Sequence, residues 1–113
     1  MRIAVTYENG SVFQHFGKTS QFKCYDIENN EIKEAQVIDT KGHSHGALAI
    51  VLSSLNVDVL ICGNIGKGAM MALAGANIKV IGGASGDCDE AVKAYLQGTL
   101  ETSQDFLCNC HHK

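Results

Sequence analysis

The segment 57–62, Val-Asp-Val-Leu-Ile-Cys, constrains the fold of this chain most strongly, because it is apolar at every position except Asp58. A strand with one face in water alternates apolar and polar residues, whereas an unbroken apolar run is typical of a strand that is covered on both faces. Helices packed on both sides of a sheet provide that cover. The segment therefore predicts an α/β protein in which it forms a central strand.

Other strands and helices can be assigned around this segment. A β-prone hairpin is predicted over Gln21–Glu28 and Glu31–Asp39, joined by Asn29 and Asn30, which tolerate a positive φ. The remaining predicted elements are strands at 2–7 and 78–81 and helices at 48–55, 69–74 and 87–96. Gly98 is predicted to end the last helix, and right-handed crossovers make all strands parallel except the first of the hairpin. The result is a five-stranded mixed sheet with three helices on its faces.

Length and composition fit one globular domain. With 113 residues, 45% of them hydrophobic and 19% charged, the chain can bury a single core. The net charge of -3 and the scattered lysines and arginines argue against nucleic-acid binding, and the apolar runs are too short or too interrupted for export or membrane insertion. We expect a cytoplasmic protein that binds neither nucleic acid nor membrane, with a domain at 1–104 and a Cys/His-rich tail at 105–113.

The five cysteines indicate a reducing compartment, because a secreted disulfide framework normally uses an even number. Cys24 shares a strand face with Phe22, and Cys62 ends the central strand, so both are predicted to fill the core. Cys88 lies in the first turn of the third helix, where exposed N–H groups and the helix dipole can lower the pKa of a thiol. The sequence leaves open whether Cys88 is a ligand.

Candidate ligands cluster in the loops that follow the parallel strands, because these loops meet at the edge of an open α/β sheet where ligands bind. This edge is predicted to collect His15, His43 and His45, and imidazole is the commonest side-chain ligand of metals. His43 and His45 can also be solvated loop residues, and His15, which precedes Phe16, can also be a packed one. We take all three as candidate ligands of zinc, iron or a cluster.

A glycine-rich loop at 63–68 leads into the second helix. It does not match a Walker A loop, because two residues rather than four separate its first glycine from the Gly-Lys pair. It does not match a dinucleotide-binding loop either, because a methionine stands where that loop needs a small residue. What remains is a helix N-terminus with free N–H groups that can hold an anion or the anionic face of a cluster. Gly63, Gly66 and Gly68 are therefore candidate cofactor-binding residues, together with His15.

The tail carries four soft or borderline metal ligands, Cys108, Cys110, His111 and His112. In an extended chain, residues i and i+2 point the same way, so Cys108 and Cys110 can hold one metal or one edge of a cluster. The other interpretation is a frayed or tag-derived end without a function. We favour ligation, because His-His-Lys does not look like a usual purification tag and paired thiols at a free end are hazardous without a use. Ordering the backbone of the tail costs about 1 to 2 kcal/mol per residue, which is comparable in total with the roughly 10 to 16 kcal/mol that a structural metal site supplies, so we expect the tail to be ordered only with metal.

The sequence shows no arrangement typical of catalysis. There is no nucleophile elbow and no His-Asp-Ser spacing, and Asp26, Asp39 and Asp58 are too scattered to hold the paired metal ions of a nuclease. We therefore expect that the chain is not an enzyme.

Several segments together resemble the dinitrogenase iron-molybdenum cofactor biosynthesis family, and specifically its small stand-alone members. These segments are, in chain order, Arg2-Ile3-Ala4-Val5, His15-Phe16-Gly17, the strand 22–27, the strand 57–63 with Gly66 and Gly68, and Ala91-Val92-Lys93-Ala94-Tyr95 before Gly98. Each motif is weak alone. In this order and over residues 1–100, they are fairly specific.

The resemblance implies a ribonuclease H-like three-layer fold without nuclease activity, and binding or carriage of the nitrogenase cofactor or its iron-sulfur precursors. It also implies that His15 corresponds to a candidate cofactor ligand of the family. The leading hypothesis is thus a non-catalytic carrier of an iron-sulfur or iron-molybdenum cluster in metallocluster assembly, with a cluster-assembly or client protein as partner. The alternative is a binding module for an anionic small molecule or partner protein, using the glycine-rich loops at the sheet edge.

Overall fold

A computed structural model describes residues 1–40, 45–100 and 102, with 45 and 46 described only as part of a helix. The strands are Arg2–Glu8 (β1), Ser11–Val12 (β2), Gln21–Glu28 (β3), Glu31–Asp39 (β4), Val59–Ile61 (β5) and Lys79–Ile81 (β6). The helices are His45–Ser54 (α1), Lys67–Gly75 (α2) and Cys88–Gln97 (α3), and a short 3₁₀ turn spans Phe16–Lys18. The described part of the chain thus confirms an α/β protein with a mixed sheet and three helices.

The strands form one sheet in the order β4-β3-β1-β5-β6, with β2 paired to β1 outside this path. Strand β3 is antiparallel to both β1 and β4, whereas β1, β5 and β6 are mutually parallel. Strands β1, β4, β5 and β6 therefore point the same way, as the sequence predicts, and their carboxyl ends share one edge of the sheet. We call this the carboxyl edge.

Strand β2 is a sixth strand, where the sequence predicts five. It forms because Asn9 and Gly10 both adopt a positive φ, of 51° and 88°, which makes a tight hairpin after β1. The hairpin brings Tyr7 opposite Val12. A strand of two residues has no alternation that a sequence pattern can reveal, so β2 was not predicted from the sequence.

The sheet is covered on both faces, as the central apolar segment predicts. Along β5, Leu60 faces the core beneath α1 and α2, whereas Val59 and Ile61 face the core beneath α3. Asp58, the polar residue of the apolar segment, lies just before β5, and its carboxylate accepts a hydrogen bond from the backbone N–H of Arg2 at 2.8 Å. The result is a three-layer arrangement of helices, sheet and helix.

The helix ends follow the capping residues of the sequence. The Asp87 side chain accepts a hydrogen bond from the backbone N–H of Glu90 at 3.0 Å and caps the start of α3, and Gly98 ends α3 with a φ of 76°. Asn56 and Asn77, just beyond α1 and α2, also have a positive φ. In the described part of the chain, no helix is long and apolar enough to cross a membrane.

Cys24 and Cys62 are buried on the α1 and α2 side of the sheet, which confirms that they fill the core. Burial raises the pKa of the Cys24 thiol to about 11. This thiol is therefore protonated near neutral pH and contributes apolar volume.

Asp89 links the sheet to the first turn of α3. Its Oδ1 accepts hydrogen bonds from the Lys23 ammonium at 2.9 Å and from the Tyr25 hydroxyl at 2.6 Å. These two bonds, that of Lys23 first, lower the pKa of Asp89 below its ordinary value of 3.8. Tyr25 is almost fully buried, so its hydroxyl depends on this partner.

We predict that Asp89→Asn lowers the free energy of unfolding by about 1 kcal/mol at neutral pH. The amide of Asn keeps an acceptor for the Tyr25 hydroxyl but loses the negative charge that pairs with Lys23, and the half-exposed position of Asp89 keeps this loss small. Since folding lowers the pKa of Asp89, its contribution is present above 3.8 and is lost as pH falls through the folded pKa. Urea unfolding should therefore show a difference between parent and variant that narrows under acid.

Glu90→Gln is the matched control. Glu90 lies next to Asp89 in the chain, but its 3.9 Å pair with Lys93 is exposed on both sides and should contribute little. A Glu90→Gln variant that loses as much stability as Asp89→Asn would contradict the assignment.

Candidate functional site

The loops at the carboxyl edge are joined by backbone hydrogen bonds. The N–H of Asn64 donates to the carbonyl of Gln14 at 2.7 Å, and the N–H of Phe16 donates to the carbonyl of Asn64 at 3.0 Å. The N–H of Gly83 donates in turn to the carbonyl of Gly63 at 2.8 Å. The loops after β2, β5 and β6 therefore form one connected structure that holds His15 at a fixed place.

Gln14 connects these loops through its side chain. Its Nε2 donates to the carbonyls of Val12 at 3.2 Å and of Ala84 at 3.0 Å, and the side chain lies against Gly63. A Cβ at Gly63 would lie 2.8 Å from Gln14 Cα, so this position has no room for a side chain. Gly63 is thus a packing glycine within the loop structure. Sequence reasoning missed the role of Gln14, because a lone glutamine before a histidine carries no signal of it.

The His15 side chain is exposed above this structure. Its ring stands edge-on to that of Phe13, with 6.1 Å between the ring centroids, while Phe16 is buried and packs against Phe22. The interpretation of His15 as a packed core residue is therefore wrong. The aromatic neighbours anchor the loop, and the imidazole remains accessible.

A pocket of about 630 Å³ opens beside His15, between the 3₁₀ turn and the start of α2. Its lining includes His15, Lys18, Asn64, Gly66 and Gly68, which brings three of the four predicted cofactor-binding residues together. Lys18 and Asn64 were not predicted from the sequence, because only the pairing of the loops places them here. Gly63 does not line the pocket and supports it from below.

The pocket is suited to an anion. Gly66 is the residue before α2, and no side chain caps the helix there, so the first N–H groups of α2 are free to bind a ligand. Among the described lining residues, Lys18 supplies a positive charge and none supplies a carboxylate. Both features favour negative charge in the pocket.

A wider groove at the opposite edge of the sheet has a different character. It encloses about 710 Å³ and includes Arg2, Asp26 and Asp58 in its lining. The Arg2 guanidinium already pairs with Asp26 at 2.7 Å, and Asp58 already accepts from the Arg2 backbone. These charged groups are used to hold the fold, so the pocket beside His15 is the better candidate site.

No metal centre is complete within residues 1–40, 45–100 and 102, where no group of three or more His, Cys, Asp or Glu side chains could hold a metal ion. His43 and the tail ligands lie outside the described residues, as does the side chain of His45. The predicted metal ligands that the structure therefore does not describe are His43, His45, Cys108, Cys110, His111 and His112. The backbone of α1 begins at His45 and packs against the 3₁₀ turn that follows His15. The predicted ligand set stays a prediction.

The sequence left the role of Cys88 open, and the structure places this thiol in the core. It is the first residue of α3, but it is 1% exposed, and its Sγ points to the carbonyl of Thr6 at 3.7 Å. Burial raises the pKa of the Cys88 thiol to about 12, and the neighbouring Asp87 carboxylate adds to the rise. Cys88 is therefore a protonated core residue, although it lies at a helix N-terminus.

Comparisons with known proteins agree with this fold. A family model described as dinitrogenase iron-molybdenum cofactor matches residues 1–98. The uncharacterized protein MJ0580 of Methanocaldococcus jannaschii is 31% identical over 106 residues, which cover 89% of this chain and 90% of that protein. The region that the family model matches contains every described strand and helix and all residues that line the pocket, but not the tail.

Two solved structures are similar over nearly their full lengths. The crystal structure of PH0822 has a TM-score of 0.89 at 27% identity, covering 94% of this chain and 97% of its own. The apo form of the orange protein from Desulfovibrio gigas has a TM-score of 0.79 at 30% identity, and the match covers 92% of this chain and 93% of the orange protein. The fold of this chain is thus one that these two proteins share.

The glycines of the site should respond in opposite ways to alanine. Gly68→Ala is predicted to raise the free energy of unfolding by about 0.5–1 kcal/mol, because a Cβ there meets open space and glycine disfavours a helix. Gly63→Ala is predicted to lower it by about 1–3 kcal/mol, because its Cβ would press on the Gln14 backbone. Urea unfolding of both variants measures this, and equal losses would contradict the open position of Gly68.

Proposed function

Since the chain belongs to the dinitrogenase iron-molybdenum cofactor family, we propose that it binds and carries a metallocluster of iron-sulfur or iron-molybdenum type in cluster assembly. The observation that supports this most directly is the pocket beside His15, which combines an accessible imidazole with an uncapped helix N-terminus. The cluster is cargo in this proposal, and the protein that delivers or receives it is the partner.

The lining of the pocket fits such a cargo. Iron-sulfur clusters with sulfide and thiolate ligands carry negative charge, which the Lys18 ammonium and the first N–H groups of α2 can balance. The His15 imidazole is a good ligand for iron and other borderline metals. The volume of the pocket, about 630 Å³, lies in the usual range of about 300–1,000 Å³ for small-ligand sites.

We propose binding without catalysis. The described pocket lining offers no hydroxyl, thiol or carboxylate that His15 could activate or that could orient its ring. Its members other than His15, Lys18 and Asn64 are apolar residues and glycines. Such a lining can hold and release an anionic group.

The alternative proposal is a module that binds an anionic small molecule or an acidic partner segment through the same helix N-terminus. It requires Lys18 and the glycines but no imidazole ligand. The two proposals therefore differ in what they expect of His15, and variants of that residue separate them.

Among the described residues that line the pocket, His15 supplies the one imidazole, and there is no thiol or carboxylate. A metal or cluster normally needs more ligands than one. The tail carries four candidate ligands. We propose that Cys108 and Cys110, with His111 and His112, add ligands to the cargo.

We predict that His15→Ala weakens binding of a reconstituted iron-sulfur cluster by about tenfold or more, the scale on which a disturbed metal shell loses affinity. The fold should be unaffected, because the ring is exposed. Anaerobic titration followed by visible absorbance measures the binding, and thermal unfolding checks the fold.

His15→Phe is the matched control for packing. It keeps an aromatic ring beside Phe13 but has no ring nitrogen, so it should lose affinity as His15→Ala does. Cluster affinity that stays at the parent value in both variants would exclude His15 as a ligand and favour the anion-binding module.

Replacing both tail thiols, Cys108→Ser with Cys110→Ser, should lower the iron or zinc content of anaerobically purified protein with little change in thermal stability, because serine is a much poorer ligand for these metals than thiolate. Asn109→Ala, between the two thiols, is the control that should keep the metal. If metal content is the same in all three proteins, the tail is not part of the site.

A further inference from the structure

The turn between β1 and β2 contains the chain's single Asn-Gly sequence, Asn9-Gly10. Asn9 is exposed, and its side-chain amide makes no hydrogen bond within the described part of the chain. A side-chain amide can be attacked by the backbone nitrogen of the next residue, and glycine shields this nitrogen least because it has no Cβ. The turn therefore exposes an asparagine in the sequence context that favours loss of its amide.

The backbone nitrogen of Gly10 is available for this attack. None of the described residues accepts a hydrogen bond from its N–H, and a Cβ at this position would meet nothing within 4 Å. Other asparagines with a positive φ differ in this respect. The N–H that follows Asn56 donates to the carbonyl of Leu52 at 3.2 Å, and the N–H that follows Asn77 donates to that of Leu73 at 3.0 Å.

The turn at Asn29 and Asn30 offers an internal comparison. It also joins two antiparallel strands, and its two residues also have a positive φ, of 55° and 63°. Neither asparagine precedes a glycine, and the Asn30 side chain donates a hydrogen bond to the carbonyl of Leu96 at 3.1 Å. Of these two hairpin turns, that of Asn9 combines an unbonded side-chain amide with an unshielded backbone nitrogen.

We propose that Asn9 is a modification site, at which the side-chain amide is lost spontaneously to water and the residue becomes aspartate or isoaspartate. Hydroxide takes the proton of the Gly10 N–H, and this nitrogen bonds to Cγ of Asn9. The bond from Cγ to Nδ2 breaks, and Nδ2 leaves as ammonia with a proton from water, which restores the hydroxide. Water then opens the cyclic succinimide, at Cγ to give isoaspartate's isomer aspartate, or at the main-chain carbonyl carbon to give isoaspartate.

The reaction needs a brief opening of the turn, because the Gly10 nitrogen must rotate towards Cγ of Asn9. Strand β2 is two residues long, so the hairpin that must open has a short ladder. Short, exposed elements open locally at a lower free energy than the core does. The conversion can therefore proceed in the folded protein.

The two products should affect the fold differently. Aspartate tolerates a positive φ, so it keeps the turn and adds one negative charge to the net charge of -3. Isoaspartate adds a methylene group to the backbone, which a tight hairpin turn does not accommodate. The carbonyl of Gly10 accepts from the N–H of Cys88 at 2.9 Å, and the N–H of Val12 donates to the carbonyl of Gly86 at 2.7 Å. Isoaspartate should therefore disturb the start of α3.

Incubation of the folded protein at mildly alkaline pH, in water enriched in the heavy oxygen isotope, tests the proposal. Trypsin then releases residues 3–18, in which Asn9 is the single asparagine, and residues 24–33, which contain Asn29 and Asn30. Mass spectrometry should show conversion of the amide to an acid at Asn9, with one oxygen from the solvent. The rate should exceed that at Asn29 or Asn30 by about tenfold or more, which corresponds to about 1.4 kcal/mol of activation free energy.

Asn9→Gly is the matched control, because glycine accepts the positive φ but has no amide. Its peptide 3–18 should keep its mass. The isoaspartate form, isolated by chromatography, should show altered backbone amide chemical shifts at Val12 and Cys88, whereas Asn9→Asp should keep the parent shifts there.

Three results would contradict the proposal. Folded protein in which Asn9 stays unconverted overturns it, and so does conversion at Asn29 or Asn30 that is as fast as at Asn9. An isoaspartate form with the same Cys88 amide shift as Asn9→Asp overturns the effect on α3. The reaction requires water and no cargo, so the outcome is independent of the proposed function.

Discussion

The parallel pairing of β1 with β5 is the interaction on which the candidate site depends. Ile3, Ala4 and Val5 lie opposite Val59, Leu60 and Ile61, and all six side chains are buried, alternately beneath α3 and beneath α1 and α2. A slip of one residue would turn each of these side chains towards the wrong layer. The pairing therefore fixes the position of each strand along the sheet, and with it the point at which each following loop leaves the carboxyl edge.

The loops inherit this register. Because β1 and β5 end at the same edge, the backbone of Asn64 can donate a hydrogen bond to Gln14 and accept one from Phe16. The Gln14 side chain can also reach the loop after β6. Gly63 makes this close approach sterically feasible. Hydrogen bonds between the loops thus hold the backbone of the site, and Gly66 and Gly68 leave space above it. A ligand that binds there meets groups that are already in position, which lowers the entropy lost on binding.

The sequence predicted the fold where local chemistry and burial agree. The β3–β4 hairpin has the predicted bounds because Asn29 and Asn30 accept a positive φ, and α3 begins after Asp87 and ends at Gly98 because these residues cap a helix well. The central strand was predictable because only a doubly covered strand is so uniformly apolar.

The rest depended on contacts between residues far apart in the chain. Gln14 connects the loops because its side chain donates to the carbonyl of Ala84, which lies 70 residues further along the chain. Lys18 and Asn64 line the pocket only because their loops pair. Cys88 shows the same limit, since its position at a helix start was correct but its burial was not visible locally. His15, Gly66 and Gly68 line one pocket at the edge where the sequence predicted them, while their binding of a cofactor stays a prediction. The predicted tail ligands lie outside the described residues.

The burial of the thiols also divides the chemistry of the chain into two regions. Cys24 and Cys88 have raised pKa values, and Cys62 is fully enclosed, so oxidants and alkylating agents have little access to any of the three while the protein is folded. For the proposed metallocluster cargo, this burial means that the three core thiols of the folded chain take no part in thiol exchange. A maleimide dye should therefore leave Cys24, Cys62 and Cys88 unlabelled until the protein unfolds.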